Sequence, residues 1–378
     1  MRSILALAAL GLLGALGLAG CGTSFPLPTE TRTGRVYSTD NSYQMVATWS
    51  GMDGIADVLL TQGPGTQLFL LFQRPGAGTA PRGGVFGYAL KARPPVPAPL
   101  PGIDFLNLFN PHALCAAGGS VFVLDQGDTT LARDPMSGSV TDLSTYWRVR
   151  QYGLLGGDTI STFTDTSMAY VQGVAADPQG RIYVSGSYIV NIADPQDPRI
   201  LTRAFVFQVR RYLPVTPGSV APDPRMPGTD KWVRDPNPFV DAGSGVGSVD
   251  DPRGLYFAGA SVVGGPALFG ADLRKNWVQR FSDPGSGAGF RLDAAQDTTF
   301  NLPEDVTVDL QGFLYIADTG NQRVLRFDRY GQFLQRVNVE PDAEGLALLR
   351  PVAVAADDSL VYVADRAAGK VVRYQRRK

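Results

Sequence analysis

The chain has 378 residues, with 34 Lys and Arg against 35 Asp and Glu, one His and two Cys. The near-zero net charge removes the electrostatic basis for general nucleic-acid binding, and one His with two Cys excludes a Cys/His zinc site and a disulfide-rich scaffold. Apolar residues make up 44%, with 44 Gly and 28 Pro, a turn-rich composition that still supports a packed core.

Arg2 opens an apolar run from Ile4 to Ala19, which ends in Leu18-Ala19-Gly20-Cys21. As a helix the run is about one bilayer core long. It is followed by Gly, Thr, Ser and Pro, not by a basic flank, which predicts a secretory signal. Leu18 to Cys21 resembles the lipobox of bacterial lipoproteins. The resemblance implies cleavage before Cys21, a diacylglyceryl group on its thiol and an acyl chain on its new amine. Several acyl chains make a firm anchor where one binds only marginally. The expected organisation is a lipoprotein signal peptide at 1–20, a flexible tether at 21–33 and a folded domain at 34–378. Gly22, where Asp would imply retention in an inner membrane, implies the outer membrane in a cell that has two. The expected location is the bacterial cell envelope, facing the periplasm or the exterior. Lipidation leaves Cys115 as the remaining thiol. It lies in the apolar stretch Ala113 to Ala117 and reads as buried and inert.

After residue 21 helical periodicity is nearly absent. Short apolar runs alternate with Gly, Pro, Asp and Asn, an all-β pattern. One unit recurs: an apolar strand, an Asp-containing turn, a strand centred on an aromatic, then Asp or Gly. Asp305 to Asp318 is the clearest copy, Val174 to Val184 and Val354 to Asp365 are close, and Leu114 to Asp125, Val249 to Gly259 and Gly54 to Phe72 are looser. The second-strand aromatics are read as Phe69, Phe122, Tyr183, Tyr256, Tyr315 and Tyr362, at spacings of 53, 61, 73, 59 and 47. Propeller blades of four strands recur at about 40–50 residues, so six units predict six blades with loop insertions. Asp177 with Gly180, and Asp309 with Gly312, hold the first and fourth places that a type I turn prefers.

Tyr315-Ile316-Ala317-Asp318-Thr319-Gly320-Asn321-Gln322-Arg323-Val324-Leu325-Arg326-Phe327-Asp328 resembles an NHL repeat. Val361 to Tyr374 resembles a degraded one, and Val121 to Arg133 keeps Asp125, Gly127, Asp128 and Arg133. The resemblance implies a six-bladed β-propeller. The last unit holds three strands before the chain ends, so an early segment, Tyr43 to Trp49 or Arg35 to Tyr37, is expected to pair onto it and close the ring. Arg93 to Gly102, with five Pro, and 214–238, with seven Pro and Trp232, read as surface excursions; the second is also a candidate docking loop.

Catalytic motifs are missing: no Gly-x-Ser-x-Gly, no His-Glu-x-x-His, no P-loop. Aligning the copies on their turn Asp places His112, Gln172, Glu304 and Val352 at equivalent positions at the channel mouth, with Asp305 beside Glu304. Val246 and either Ala56 or Asp57 fill the other places. The family's zinc-dependent amidating lyase holds its metal with several His, which this chain lacks. Some six-bladed hydrolases and lactonases hold calcium with acidic side chains at this place, and calcium takes about six to eight oxygens. The primary expectation is a non-catalytic binding or scaffold module with no cofactor. It would be held on the membrane by Cys21 and bind an envelope protein, peptide or glycan through His112, Gln172, Glu304 and Asp305. The alternatives are a calcium-dependent hydrolase or lactonase at the same mouth and a structural subunit of an envelope assembly.

Overall fold

The structure is a computed structural model that describes residues 43–377, apart from 62–64, 74–82, 93, 96, 107, 128–146, 220, 222, 224, 227–230, 260, 261, 263, 283–289, 292–298 and 339–346. The signal peptide, Cys21, the tether and Arg35 to Tyr37 lie outside the described residues. Among the described residues there is no α-helix, and the strands form six small antiparallel sheets.

Blade 1 holds β2 (Ile55–Leu60), β3 (Leu68–Phe72) and β4 (Gly84–Tyr88). Blade 2 holds β5 (Asn110–Ala117), β6 (Ser120–Gln126), β7 (Trp147–Gly153) and β8 (Gly156–Thr164). Blade 3 holds β9 (Met168–Ala176), β10 (Ile182–Ala193), β11 (Leu201–Pro214) and β12 (Trp232–Arg234). Blade 4 holds β13 (Pro252–Ala258), β14 (Ala267–Asp272), β15 (Trp277–Phe281) and β16 (Phe290–Arg291). Blade 5 holds β17 (Pro303–Val308), β18 (Leu314–Asp318), β19 (Arg323–Phe327) and β20 (Phe333–Arg336). Blade 6 holds β21 (Pro351–Ala356), β22 (Leu360–Asp365), β23 (Lys370–Arg376) and, paired outside β23, β1 (Tyr43–Trp49). The first strands β2, β5, β9, β13, β17 and β21 each pack on the next, and β21 packs on β2. That cyclic order is a closed six-bladed propeller around a central channel.

Period-2 alternation gives each blade two apolar faces. Neither can be buried within its own sheet, so the core lies between blades. It consists of six clusters, one at each blade boundary, from Leu59, Phe69 and Leu114 between blades 1 and 2 to Trp49, Val58 and Tyr362 between blades 6 and 1. The repeat's polar residues fix the turns. Asp309 accepts from the backbone N–H of Gln311 and Phe313 at 3.0 and 2.9 Å and from the Tyr315 hydroxyl at 3.0 Å. Asp177 binds Gln179, Arg181 and Tyr183 in the same way. Fully buried Asp318 accepts from Asn301 N–H at 2.7 Å, Asn321 at 2.8 Å and Arg323 at 2.7 Å. One carboxylate thus ties the entry of a blade's first strand to the exit of its second. Asp125, Asp272 and Asp365 repeat the device on the N–H groups of Asn110, Asp251 and Arg350.

Two expectations need correction. Tyr256 lies on β13, a first strand, and the second-strand aromatic of blade 4 is Phe269, its direct partner across the hairpin. The segment 214–238 also reads as an excursion but returns a strand: β12 completes blade 3, and Trp232 packs against Phe122 and Phe163 between blades 2 and 3.

Closure is by β1, which runs antiparallel to β23 from Tyr43 opposite Arg376 to Trp49 opposite Val371. Trp49 is fully buried, stacks on Tyr88 of blade 1, meets Tyr362 of blade 6 at a tilt of 48°, and donates its indole N–H to the Ala92 carbonyl at 3.3 Å. Replacing Trp49 by Ala removes a large buried ring at the seam, a class of change that costs about 3–5 kcal/mol. The expected result in urea unfolding is a loss of unfolding free energy of that size, read as a lower midpoint. A loss under about 1 kcal/mol would show that the seam does not hold the ring.

Candidate functional site: the channel mouth

Every first strand breaks its hydrogen-bond ladder at the same place. Register shifts leave Ala56, His112, Gln172, Arg253 with Gly254, Glu304 and Val352 out of pairing with the second strands. A β-bulge re-aims the unpaired side chain, and these seven residues, from six blades, all line one small cavity of about 60 Å³. Four of the bulges follow a proline: Pro111, Pro252, Pro303 and Pro351. Proline has no N–H to give to the ladder, which suits the place where pairing breaks.

The structure therefore brings His112, Gln172, Glu304 and Asp305 together. Val246, expected in the ring, is exposed in the loop before β13, and Arg253 takes its place. The displacement arises because blade 4 has no Asp in the turn between β13 and β14, so an alignment on Asp251 lands upstream. The sequence signal for Arg253 is Asp251-Pro252-Arg253-Gly254 set against Leu302-Pro303-Glu304-Asp305. Gln73, Arg366 and Asp57 complete the lining.

These side chains join across blade boundaries. Arg366 of blade 6 donates to Gln73 Oε1 of blade 1, and Gln73 Nε2 meets His112 Nδ1 of blade 2 at 2.9 Å. Arg253 of blade 4 donates to Gln172 Oε1 of blade 3 at 2.9 Å and to Asp251 at 3.0 Å. Arg350 at the start of blade 6 donates to Glu304 Oε1 of blade 5 at 3.1 Å. Arginine only donates, so it fixes the Gln73 amide with its oxygen toward Arg366 and its NH2 toward the imidazole. Nδ1 of His112 must then accept, and the ring proton sits on Nε2, beside Asn110 and Gln126. The ring also meets Trp147 edge-on at 4.7 Å. Burial pushes the His112 pKa down to about 4, aided by the nearby Arg366 charge and opposed by the hydrogen bond to Gln126.

One step deeper stand Asp57, Ala113, Gly173, Gly254, Asp305 and Ala353. Asp57 accepts from Val58 N–H at 2.7 Å and from Leu114 N–H of the next blade at 2.8 Å. Asp305 accepts from Val354 N–H of its next blade at 2.9 Å. Burial pushes Asp57 up to about 7. It also raises Asp305 well above the usual carboxylate range, with the Asp57 charge adding to it. A side chain at Gly254 would collide with Asp305, its Cβ coming 2.3 Å from the carboxylate oxygen. Below this ring the channel widens into a cavity of about 220 Å³ with a mixed wall, lined by Cys115, Tyr256, Phe257 and Thr307 among others. Burial, with Asp57 nearby, raises the Cys115 thiol far above its ordinary range, which removes its nucleophilic form.

The donors do not fit calcium. Asp57 and Asp305 are engaged with backbone N–H groups, Glu304 carries Arg350, and two guanidiniums share the mouth. Among the described residues no three His, Cys, Asp or Glu side chains are placed to hold a metal.

The His112 environment has a pH signature. An unfolded His titrates near 6.5 and the folded one at about 4. Between those values the unfolded chain holds the extra proton, so the His112 contribution to stability is complete above pH 6.5 and lost on going down to pH 4. Asp57 acts in the opposite direction, because its folded form keeps a proton that the unfolded chain releases; this term is common to wild type and a His112 variant and cancels between them. From pH 7.5 to 4, wild type is expected to lose up to about 3 kcal/mol relative to His112→Gln. Urea unfolding of both proteins at the two pH values checks this, and parallel pH profiles would refute it.

The sequence profile of the NHL repeat matches residues 300–327, the span that runs into β17 and through β19. A search of curated proteins finds no match. Among solved structures the chain is similar to a catalytically inactive virginiamycin B lyase from Staphylococcus aureus with quinupristin, at 10% identity and TM-score 0.46, covering 88% of this chain and 99% of that one. It is similar to a streptogramin B lyase at 12% identity and TM-score 0.45, covering 88% and 98%. It is also similar to a protein assigned as a gluconolactonase at 12% identity and TM-score 0.47, covering 90% and 93%. These likenesses are too distant to bear on the chemistry of the mouth. The repeat match and the ring of blades together identify the chain as a six-bladed β-propeller with an NHL repeat in its fifth blade.

Proposed function

We propose that this protein is a non-catalytic binding module of the bacterial cell envelope, lipid-anchored through Cys21, which takes an acidic group of a protein partner at the channel mouth. The observation that carries the reading is the mouth itself. It is a shallow belt of side chains already hydrogen-bonded to one another, in which Arg366 donates to an uncharged amide and has no carboxylate among the described residues in hydrogen-bond contact. Its imidazole is kept neutral and has both nitrogens in contact with side-chain amides, which is unlike a general base poised near neutral pH. Tyr170 is 48% exposed beside it, with the Arg253 guanidinium 5.9 Å from its ring. A guanidinium next to an exposed aromatic suits a carboxylate on a peptide chain.

A second feature at the same end favours protein over glycan. β9 begins opposite Tyr188, but the β10–β11 hairpin runs on through Ala193 paired with Leu201. Five further residues extend it by about 17 Å at strand rise. The extension leaves Ile192, Ile200, Leu201 and Phe205 between 50% and 74% exposed, an apolar surface of the kind that marks protein contacts. Tyr43, paired with Arg376, lies at the far end of the channel from the mouth. The lipobox resemblance supports the anchor, and in a cell with two membranes the outer one is the proposed address.

Two measurements test this. Palmitate labelling and membrane fractionation should both be lost in Cys21→Ser. A photocrosslinking residue in place of Tyr170 should capture a protein from intact envelopes, and Arg366→Gln or Phe205→Ser should reduce that capture at least tenfold. Capture that ignores both substitutions, or capture of glycan alone, would overturn the protein-partner reading.

A further inference from the structure

At the far end, blades 4 and 5 part around a cavity of about 140 Å³ that is separate from the channel. Its depth is apolar: Val262, Phe269 and Leu314, each no more than 4% exposed. Its rim is cationic. Arg280 comes from β15, and Arg329 and Tyr330 come from the turn between β19 and β20.

Neither guanidinium has a carboxylate partner among the described residues. Arg280 donates to the Gly265 carbonyl at 3.0 Å and the Ser282 hydroxyl at 3.3 Å, and its buried Nε has no acceptor. Burial, with no acidic group opposing it, lowers its pKa. Arg329 lies 5.3 Å from the centre of the Tyr330 ring. Elsewhere the chain sets arginines on aspartates, as at Arg148 with Asp125, Arg211 with Asp235 and Arg323 with Asp318. Here two like charges face one apolar hollow, and each is left with donors to spare. An apolar stem would bury surface against Phe269 and Leu314, while an anionic head would meet the two rim cations, a charge-assisted contact of the strong kind.

We propose that this inter-blade cavity binds a small carboxylate on a compact apolar stem, with the carboxylate between Arg280 and Arg329. A free C-terminal apolar residue and a short-chain fatty acid both carry that chemistry. The site shares no lining residue with the mouth and lies at the opposite end of blades 4 and 5.

The test is a calorimetric titration of the folded Arg253→Gln/Arg366→Gln protein, so that neither guanidinium of the mouth contributes. The probes are N-acetylphenylalanine, its uncharged amide, and hexanoate. N-acetylphenylalanine or hexanoate should bind one to one, and whichever is tighter shows whether a chain terminus or a fatty acid is the better fit. The amide should bind at least tenfold more weakly than its acid, and raised salt should weaken the acid alone. Arg329→Gln, a change in an exposed turn, should weaken the carboxylates about tenfold while leaving the urea midpoint in place. Equal binding of acid and amide, no binding of either carboxylate, or affinity that ignores Arg329→Gln would each overturn the proposal. All three outcomes leave the reading of the mouth untouched, since the titrated protein lacks both Arg253 and Arg366.

Discussion

A blade of this propeller has two apolar faces and cannot bury either one by itself. That constraint sets the rest: the ring has to close, because any open boundary exposes one of the six clusters and two sheet edges at once. Closure falls to β1, the strand furthest in sequence from its partner β23. The pairing is reinforced by side chains that reach past the sheet. Trp49 donates to Ala92, and the Tyr362 hydroxyl and the Arg373 guanidinium both reach the Leu90 carbonyl of blade 1. The seam is thus held by backbone pairing on one side and by aromatic packing and carbonyl contacts on the other.

The same geometry produces the mouth. A first strand must run near the axis beside five others, and a regular ladder would send its side chains alternately into the two neighbouring blades. The shared bulge breaks this alternation once in every blade and turns one side chain toward the axis. Ring closure then makes neighbours of residues far apart in the chain. Gln73 and Arg366 are 293 positions apart, and the protonation pattern of His112 depends on that one contact.

This explains which parts were legible in the sequence. The blade count, the closing strand and four of the mouth residues follow from a local unit repeated along the chain, and local units carry their own signals: turn Asp, strand aromatic, alternating apolar residues. Blade 4 lost its turn Asp, so Tyr256 stood in for Phe269 and Val246 for Arg253. Proline before the bulge was the better marker there. Trp232 was hidden because its strand is three residues long and follows a proline-rich stretch, too short for any period to register. Gln73 and Arg366 sit at the ends of second strands in blades 1 and 6, and nothing local announces that they meet. Arg280 and Arg329 are in the same position, each ordinary in its own hairpin and notable only when two blades are set side by side.

The depth of the mouth is decided by two carboxyl groups. At the ring below it, four of the six blades supply Ala or Gly, and only blades 1 and 5 supply Asp. Each Asp reaches sideways to the first strand of the following blade, so both act as stitches between blades. Their side chains also fill the axis that the small residues leave open, and they line the mouth above as well as the wider cavity below. Burial raises both pKa values, which lets the stitches persist as neutral or singly charged groups where two bare carboxylates would repel. A ligand entering from the mouth therefore meets a floor after one functional group's depth. Such a site can read the tip of a side chain or a chain terminus. The shallow floor, the neutral imidazole and the polar belt all follow from how neighbouring blades are joined, and they are the features on which the proposed recognition role rests.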